Sequence, residues 1–340
     1  MSELVDEVTE LENKSEVVEV TGLENKVGWI VNDCISCIPG VRTLWHDLLE
    51  WFPGLEDKTN GYTDYSVLAD TIEKMYEEAE VKPDYIIRNG TYFRKLNIDV
   101  PTFALIQDTQ SGHLEQIQID VINSVDCIVF AAHQTYKSYK PKINPKNWRV
   151  FELASDFDFW KPIEERHPDV LPNSIIFVGD SSHVKKGFHR VLHLIDTLVD
   201  HNFCLVMKDE TTIDVIPEKN RHRVRMFNRV DRNVIRVIMN SCVCAICTSG
   251  NEEGHWAGIE LGACNIPNVA RPVGSYMDKI DGVGVWGEIA RDADFPKYIQ
   301  KVFDNRDSYS PREYYSKEYS NVRAKEKWTN MLIEFLVKKE

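Results

Sequence analysis

Two glutamates eight positions apart, Glu252 and Glu260, stand out in the segment SGNEEGHWAGIELGAC. The first lies among glycines and polar residues that predict a loop, and the second lies in a short apolar stretch that predicts a helix. A carboxylate that is removed from water in such a helix costs several kcal/mol unless it has a partner. The pair therefore predicts a site in which a protein group or the hydroxyls of a ligand bind carboxylates.

The same segment has the order of a ligand-binding loop: an apolar run, small polar residues, glycines and then a helix. Glycines permit a ligand to approach the backbone N–H groups. Glu260, about one turn into the helix, can accept two hydrogen bonds from vicinal hydroxyls such as those of ribose. The alternative is that the loop carboxylates favour a helix N-terminus and Glu260 reaches solvent. The residues predicted to bind here are Ser249, Glu252, Glu253, Gly254, His255 and Glu260.

A second candidate site follows the apolar run SIIFVG, in the segment DSSHVKKGF. Gly179 permits a tight turn, and Lys185 and Lys186 precede the predicted start of a helix. Backbone N–H groups and a lysine at such an end form an anion site that suits phosphate. The alternative is a solvated pair of lysines ahead of a helix.

The elements that must position these residues alternate between apolar runs and amphipathic helices. Such alternation predicts βαβ units and parallel sheets. The proline- and aspartate-containing stretch 152–173 interrupts the alternation, which then begins again. We therefore predict an α/β protein with two doubly wound, Rossmann-like domains that face a cleft, with binding loops at the carboxyl ends of the strands. The predicted divisions are an acidic tail at 1–24, domains at 25–160 and 161–315, and a C-terminal helix at 316–340 that packs across them.

Composition limits the class of protein. A formal net charge of -14 weighs against a surface that embraces nucleic acid everywhere. Eight cysteines in 340 residues are too sparse for a disulfide scaffold. No apolar run approaches the roughly 20 residues that span a bilayer, and the acidic N-terminus is unlike a signal peptide. These features predict a cytoplasmic protein without a transmembrane segment.

The second half resembles the donor-binding domain of the retaining, nucleotide-sugar-dependent glycosyltransferases of the GT-B fold, the glycogen-synthase-like and mannosyltransferase-like group. That group has a strand followed by Gly, then Lys-Gly before a helix, and then Glu-x7-Glu with Glu-Ala-x-Ala-x-Gly-x-Pro-Val. This chain has Gly179, Lys186-Gly187, the pair Glu252 and Glu260, and ELGACNIPNV. The first half is similar more loosely, through KPDYIIRNG, VPTFALIQD and VDCIVFAA.

The resemblance implies a role for each matching residue. It implies that Glu260 holds the donor ribose, that Glu252 holds hydroxyls of the donor sugar, and that Lys186 neutralises the diphosphate leaving group. A cation and helix N–H groups there stabilise the transition state more than the ground state, because negative charge develops on the nucleotide. It also implies retention at the anomeric carbon and no metal or other cofactor.

The acceptor side of the cleft falls in the first half. If the enzyme inverts, a general base is needed there. The candidates are Asp108, His113 and His133, and we select Asp108. The chain departs from the group at Gln107, where a histidine is common, and at Asp180, where an arginine is usual. The residues predicted to face the acceptor are Pro39, Gly40, Arg42, Gln107, Asp108 and His133.

Three hypotheses follow for function. The first is a glycosyltransferase that moves a sugar to a hydroxyl of a glycan, lipid, small molecule or modified DNA base. The second is a phage-like enzyme that glycosylates hydroxymethylated DNA bases, since IELGAC is similar to a stretch of phage enzymes of that kind. It would contact nucleic acid through the basic and aromatic segment 135–149. The third is a GT-B-like module that binds a nucleotide or sugar without chemistry.

Overall fold

Two parallel six-stranded sheets form the frame of the protein. The computed structural model describes residues 22–32, 47–58, 65–91, 93–106, 115–250 and 254–337. Within these residues, the strands of the first sheet are β1 (Gly28–Asn32), β2 (Leu55–Asp57), β3 (Tyr85–Asn89), β4 (Thr102–Ile106), β5 (Cys127–Phe130) and β6 (Trp148–Val150). Their order is β2-β1-β3-β4-β5-β6, and each neighbouring pair is parallel.

Burial on both faces explains why the central strands of this sheet were predictable. Every residue of β3 and β5 is buried, as expected for strands of a parallel sheet that helices cover on both faces. The predicted strands at β1, β3, β4 and β5 are confirmed. The edge strands β2 and β6 were not predicted, because three residues are too few to carry a periodic signal.

The second sheet has the strand order of a dinucleotide-binding domain. Its strands are β7 (Ser174–Gly179), β8 (Asn202–Met207), β9 (Val224–Asn228), β10 (Cys242–Cys247), β11 (Asn268–Ala270) and β12 (Gly287–Ile289). Their order is β12-β11-β10-β7-β8-β9, which corresponds to the doubly wound order 3-2-1-4-5-6. The chain therefore reverses direction across the sheet between β7 and β10, and ligands bind at such a switch point in open α/β sheets.

Helices cover both faces of the second sheet. The helices with bounds in the described residues are α1 (Tyr65–Glu78), α2 (Gln116–Ser124), α3 (His133–Tyr139), α4 (Phe188–Thr197), α5 (Arg232–Asn240), α6 (Trp256–Ala263), α7 (Phe295–Asp304), α8 (Pro311–Glu318) and α9 (Asn321–Leu336). Helices α4 and α7 share one apolar core with β7 and β8, and α5 and α6 contribute to a core on the other face. No helix in the described parts of the chain is long and apolar enough to cross a membrane.

The C-terminal helix α9 returns to the first sheet, as predicted. Phe335 lies edge-on against Phe103 of β4, with ring centroids 5.4 Å apart. Trp328 contacts Phe151 in the same way, also at 5.4 Å. Burial of these aromatic rings supplies the largest apolar contribution of the helix. The last part of the chain thereby joins the first sheet to elements that follow the second.

The predicted single C-terminal helix at 316–340 is wrong in one detail. The chain forms two helices here, α8 and α9, with a break at Tyr319 and Ser320. The Ser320 side chain accepts a hydrogen bond from the backbone N–H of Arg323, which makes it the N-cap of α9. The buried apolar residues of α9 run from Ala324 to Phe335, whereas α8 is short and mostly polar, so periodicity alone did not show the break.

Candidate functional site

The two loops that the sequence singled out meet at the switch point of the second sheet. One follows β7 and the other follows β10, and these strands are neighbours. The backbone N–H of Gly250 donates to the carbonyl of Lys185 at 2.7 Å. The hydroxyl of Thr248 donates to the carbonyls of Lys186 and Gly187 at 3.2 and 3.1 Å. Segments some sixty residues apart in sequence therefore form one structural unit.

Gly187 occupies a position that only glycine fits. Its φ is +71°, in the left-handed region that residues with a Cβ rarely adopt. A Cβ at this position would also overlap the carbonyl carbon and oxygen of Thr248. Gly187 thus serves as the C-cap of the short 3₁₀ helix Val184–Lys186 and as the N-cap of α4, and it allows the two loops to touch.

The two lysines lie directly ahead of α4, as predicted. Lys185 is exposed and Lys186 is half-buried, in the turn whose last carbonyls bind the loop after β10. The N-terminus of a helix carries partial positive charge. The lysines and the helix end therefore place positive potential beside the Gly250 backbone.

Gly179 and Asp180 shape the start of this loop. Gly179 ends β7, and a Cβ there would overlap the ring of Phe177, which lies over it. The Asp180 carboxylate accepts hydrogen bonds from the backbone N–H of Ser182 at 2.9 Å and from its hydroxyl at 2.6 Å. Asp180, where the resembling group has arginine, therefore orders the turn and supplies no cation.

Glu260 is a half-buried carboxylate and the fifth residue of the short helix α6. Burial raises its pKa to about 8, and the charge of Arg232 opposes the rise. No hydrogen-bond donor for this carboxylate occurs among the residues that the structure describes. Because an unpartnered carboxylate away from water is costly, Glu260 is suited to bind hydroxyls that a ligand brings.

Arg232 is a candidate site residue that the sequence analysis missed. Its guanidinium lies over the rings of Phe159 and Trp160, 4.2 and 5.2 Å from their centroids. Its charge acts on Glu260 and also on Asp47 of the first half, whose pKa burial raises to about 6. The signal in sequence was its place as the first residue of a helix after a strand. This cation therefore lies where both halves of the chain approach Glu260.

The segment that leads into α6 docks on the linker between the sheets. The indole N–H of Trp256 donates to the carbonyl of Ala154 at 2.7 Å. A Cβ on Gly254 would overlap the side chain of Leu153, so the backbone needs glycine to approach so closely. His255 is buried, and its Nδ1 shares a hydrogen bond of 2.8 Å with the hydroxyl of Tyr276.

Two arginines that the sequence analysis missed support the loop after β10. The Nε atoms of Arg190 and Arg271 lie 2.8 and 2.7 Å from the two carboxylate oxygens of Asp292. Arg271 donates through Nη1 to the carbonyl of Ser249 at 3.1 Å, and Arg190 contacts the carbonyl of Thr248 at 3.4 Å. Burial by itself raises the pKa of the Asp292 carboxyl. The hydrogen bonds and charges of the two arginines outweigh burial and hold this pKa below its ordinary value. One carboxylate thus aligns two cations against the buried Ser249.

Replacing Asp292 with asparagine is expected to weaken nucleotide binding roughly tenfold, because a small displacement of a binding loop is amplified in binding and catalysis. The two arginines lose their common partner and release the Thr248 and Ser249 carbonyls. Titration of UDP by calorimetry measures the effect. Glu210→Gln is the matched control, because it breaks the ion pair between Glu210 and Arg229, and both of these side chains are exposed. Equal affinity in the Asp292 variant and the control would contradict this role.

The two halves of the chain meet at His133. His133 is exposed at the start of α3, directly after the carboxyl end of β5. Its backbone N–H donates to the carboxylate of Asp278 at 2.9 Å. Asp278 thus supplies from the second half the cap that Ala132, at the N-cap position, lacks. The predicted acceptor-side histidine therefore lies at the rim between the two sheets.

Seven predicted site residues lie outside the described residues. Their roles stay predictions from sequence. They are Pro39, Gly40, Arg42, Gln107, Asp108, Glu252 and Glu253.

The basic stretch 219–236 is largely structural. Lys219 pairs with Asp196, and Arg221 with Asp214. Arg223 is buried, and its guanidinium donates to backbone carbonyls that include Leu198 at 2.9 Å. Acidic side chains and backbone carbonyls therefore bind these three cations.

No protein-family model and no curated protein sequence matches this chain. Solved structures match it closely in shape. Sucrose-phosphate synthase from Thermosynechococcus elongatus aligns with a TM-score of 0.72 at 12% identity, over 92% of this chain and 100% of that one. A glycosyltransferase from Rickettsia africae aligns with a TM-score of 0.70 at 14% identity, over 92% and 99%. HepE from Anabaena in complex with UDP-glucose aligns with a TM-score of 0.66 at 14% identity, over 90% and 99%. These likenesses cover both sheets.

Proposed function

We propose that this chain, which has the GT-B fold of those proteins, is a glycosyltransferase that moves a sugar from a nucleotide-sugar donor to a hydroxyl acceptor. The observation that carries the proposal is the paired loops at the switch point. They bring Lys185 and Lys186, the N-terminus of α4 and Glu260, whose carboxylate has no donor among the described residues, to the carboxyl ends of β7 and β10. Positive charge and a hydroxyl-binding carboxylate are the two groups that a sugar nucleotide requires.

The donor is proposed to lie across these loops. Its diphosphate would contact Lys186 and the helix end, and its ribose would bind Glu260. When the bond from the sugar to the phosphate breaks, negative charge develops on the leaving nucleotide, and Lys186 stabilises it. A UDP-sugar is the first candidate, because HepE was solved with UDP-glucose. In this arrangement 161–315 is the donor domain and 25–160 the acceptor domain.

Retention at the anomeric carbon and independence from metal belong to the same proposal. The lysines beside the helix end supply positive charge of the kind that a metal would otherwise supply. Among the residues that the structure describes, no group of three or more His, Cys, Asp or Glu side chains is arranged to hold a metal ion. Retention would need no protein base, whereas inversion would require one, with Asp108 as the choice.

A nucleotide-release assay tests the proposal. The wild-type chain is incubated with UDP-, GDP- and ADP-sugars without acceptor, and free nucleoside diphosphate is measured. We expect slow release from one donor, and loss of at least about 100-fold in Lys186→Met, since removing one group that stabilises developing charge costs that much. Lys317→Met is the control, because Lys317 is exposed and pairs with Glu313 on its own helix.

The outcomes separate the hypotheses. No release from any donor, together with no change in melting temperature, would overturn the donor site. A rise in melting temperature without release, repeated with acceptors present, would favour the non-catalytic binding module. The anomeric configuration of the sugar in the product, compared with that in the accepted donor, decides between retention and inversion.

A further inference from the structure

A stacked aromatic pair, one ring half-buried and the other exposed, lies on the outer edge of the first sheet. The rings of Tyr136, on α3, and Trp148, on β6, are stacked with centroids 3.9 Å apart and planes 14° from parallel. Trp148 is 38% exposed, although it belongs to a residue type that is usually well buried. β6 is the last strand of this sheet in the described parts of the chain, and none of the strands described there covers this edge.

Lysines surround this pair. Lys137 and Lys140 are exposed, and neither forms an ion pair within the described residues. The Nζ of Lys140 lies 5.9 Å from the centroid of the Tyr136 ring. Two other cations of the segment are committed elsewhere, since Arg149 binds Glu334 at 2.8 Å and Lys146 lies 3.8 Å from Asp126. We call Tyr136, Lys137, Lys140 and Trp148 the α3 surface.

The α3 surface begins near the proposed acceptor site. α3 starts at His133, at the rim where Asp278 meets it. At 1.5 Å per residue its seven residues span about 10 Å. A chain molecule that lies along α3 could therefore reach from the stacked rings to the rim between the sheets.

We propose that the α3 surface binds single-stranded nucleic acid. A base stacks on the exposed indole of Trp148, and phosphates contact Lys137 and Lys140. Stacking platforms beside cations are the means by which proteins hold single strands of any sequence. Local positive charge in a chain of net charge -14 matches a polyanion that the rest of the surface repels. The further step, that this strand carries the hydroxyl acceptor into the cleft, rests on the proposed function.

The apolar content of the segment favours nucleic acid over a membrane. Trp148 is the only large apolar side chain exposed between residues 133 and 150, all of which the structure describes. A single ring that is already stacked on a neighbour gives little area to insert into a bilayer. Stacking on a base, in contrast, needs only the one face of the ring that remains exposed.

Fluorescence anisotropy of a labelled 20-nucleotide oligothymidylate tests the α3 surface. We expect the wild type to bind, with an affinity that falls as salt rises. The double variant Lys137→Glu/Lys140→Glu is expected to bind at least about 30-fold more weakly and with a shallower salt dependence. Trp148→Leu is expected to bind about tenfold more weakly at an unchanged salt dependence, because it removes stacking and no charge. Lys317→Glu/Lys325→Glu, with the same change of charge on α8 and α9, is the control.

Each outcome either supports or overturns the binding of single-stranded nucleic acid by the α3 surface. Absence of oligothymidylate binding by the wild type would overturn the inference, as would an equal loss in the control. Binding to vesicles with anionic lipids, abolished in the double variant while the oligonucleotide does not bind, would assign the surface to a membrane. The exposed lysine variants are expected to keep the wild-type melting temperature, so a folding defect is visible separately. Donor release without oligonucleotide reports on the proposed function alone, and either can fail without the other.

Discussion

Gly187→Ala is expected to abolish nucleotide binding and to lower the free energy of unfolding. Two independent penalties act at this position. The left-handed φ of +71° costs alanine about 1 to 2 kcal/mol. The new methyl group would in addition overlap the carbonyl of Thr248, and overpacking of this kind costs a further 1 to 3 kcal/mol, roughly. The loops after β7 and β10 can relieve the overlap only by moving apart.

A second glycine of this chain separates the two penalties. Gly284 also has a left-handed φ, +88°, but a Cβ there meets nothing within 4 Å. Gly284→Ala therefore carries the backbone penalty without the overlap. We expect it to lower stability by about 1 kcal/mol and to leave nucleotide binding unchanged. Urea denaturation and calorimetric titration of UDP measure both variants.

The difference between the two variants is what counts. If Gly187→Ala binds UDP as tightly as Gly284→Ala does, the contact between the loops is irrelevant to the site. If both variants lose binding, loss of global stability is the cause and the local explanation is wrong. Binding lost in Gly187→Ala alone supports a nucleotide site built by the junction of these loops.

Donor affinity is expected to rise with pH up to about 8, because only the ionised Glu260 offers both of its oxygens as strong acceptors to the two ribose hydroxyls. Burial raises the pKa of this carboxyl to about 8, so it is largely protonated in the free protein at pH 6 to 7. Binding then releases a proton. The affinity for UDP-glucose should fall by up to about tenfold for each pH unit below the pKa, and the sugar-linked diphosphate itself does not titrate in this range.

The free protein should show the opposite dependence in its stability. The folded-state pKa of Glu260 lies above the ordinary value of 4.5, so between pH 4.5 and about 8 the folded state binds more protons at this group than the unfolded state does. The contribution of the neutral Glu260 side chain to stability is therefore fully present below pH 4.5 and is lost as the pH rises toward about 8. Glu260→Gln removes this dependence, so the variant should gain stability relative to wild type between pH 5.5 and 8.5, roughly.

Two measurements check the role of Glu260. Calorimetric titration of UDP-glucose in two buffers with different ionisation enthalpies counts the protons that binding releases. We expect close to one proton at pH 7 for the wild type and none for Glu260→Gln, whose affinity should be lower and independent of pH. Urea denaturation of both proteins without ligand measures the stability difference. Glu218→Gln, an exposed carboxylate outside the site, is the control. No proton release by the wild type would contradict the assignment of Glu260 to the ribose.

The sequence by itself determined most of the central strands of both sheets and the two loops after β7 and β10. Apolar runs such as CIVF of β5 could be assigned because strands buried on both faces are mostly apolar. Glycines and lysines after β7, and glycines and glutamates after β10, marked the loops because few residue types suit a close backbone approach or an anion. The short edge strands β2 and β6 and the break between α8 and α9 carried too little periodic signal.

Only the tertiary structure decided which partners these residues have. Glu260 could have met a protein group or a ligand, and the packing of α6 leaves it half-buried without a donor among the described residues. Arg190, Arg271 and Asp292 are far apart in sequence. They form one cluster because three neighbouring strands end, and helix α4 begins, at the same edge of the second sheet. Charge and residue type are local properties that a sequence displays. Burial and pairing depend on contacts between distant segments, and those exist only once the chain has folded.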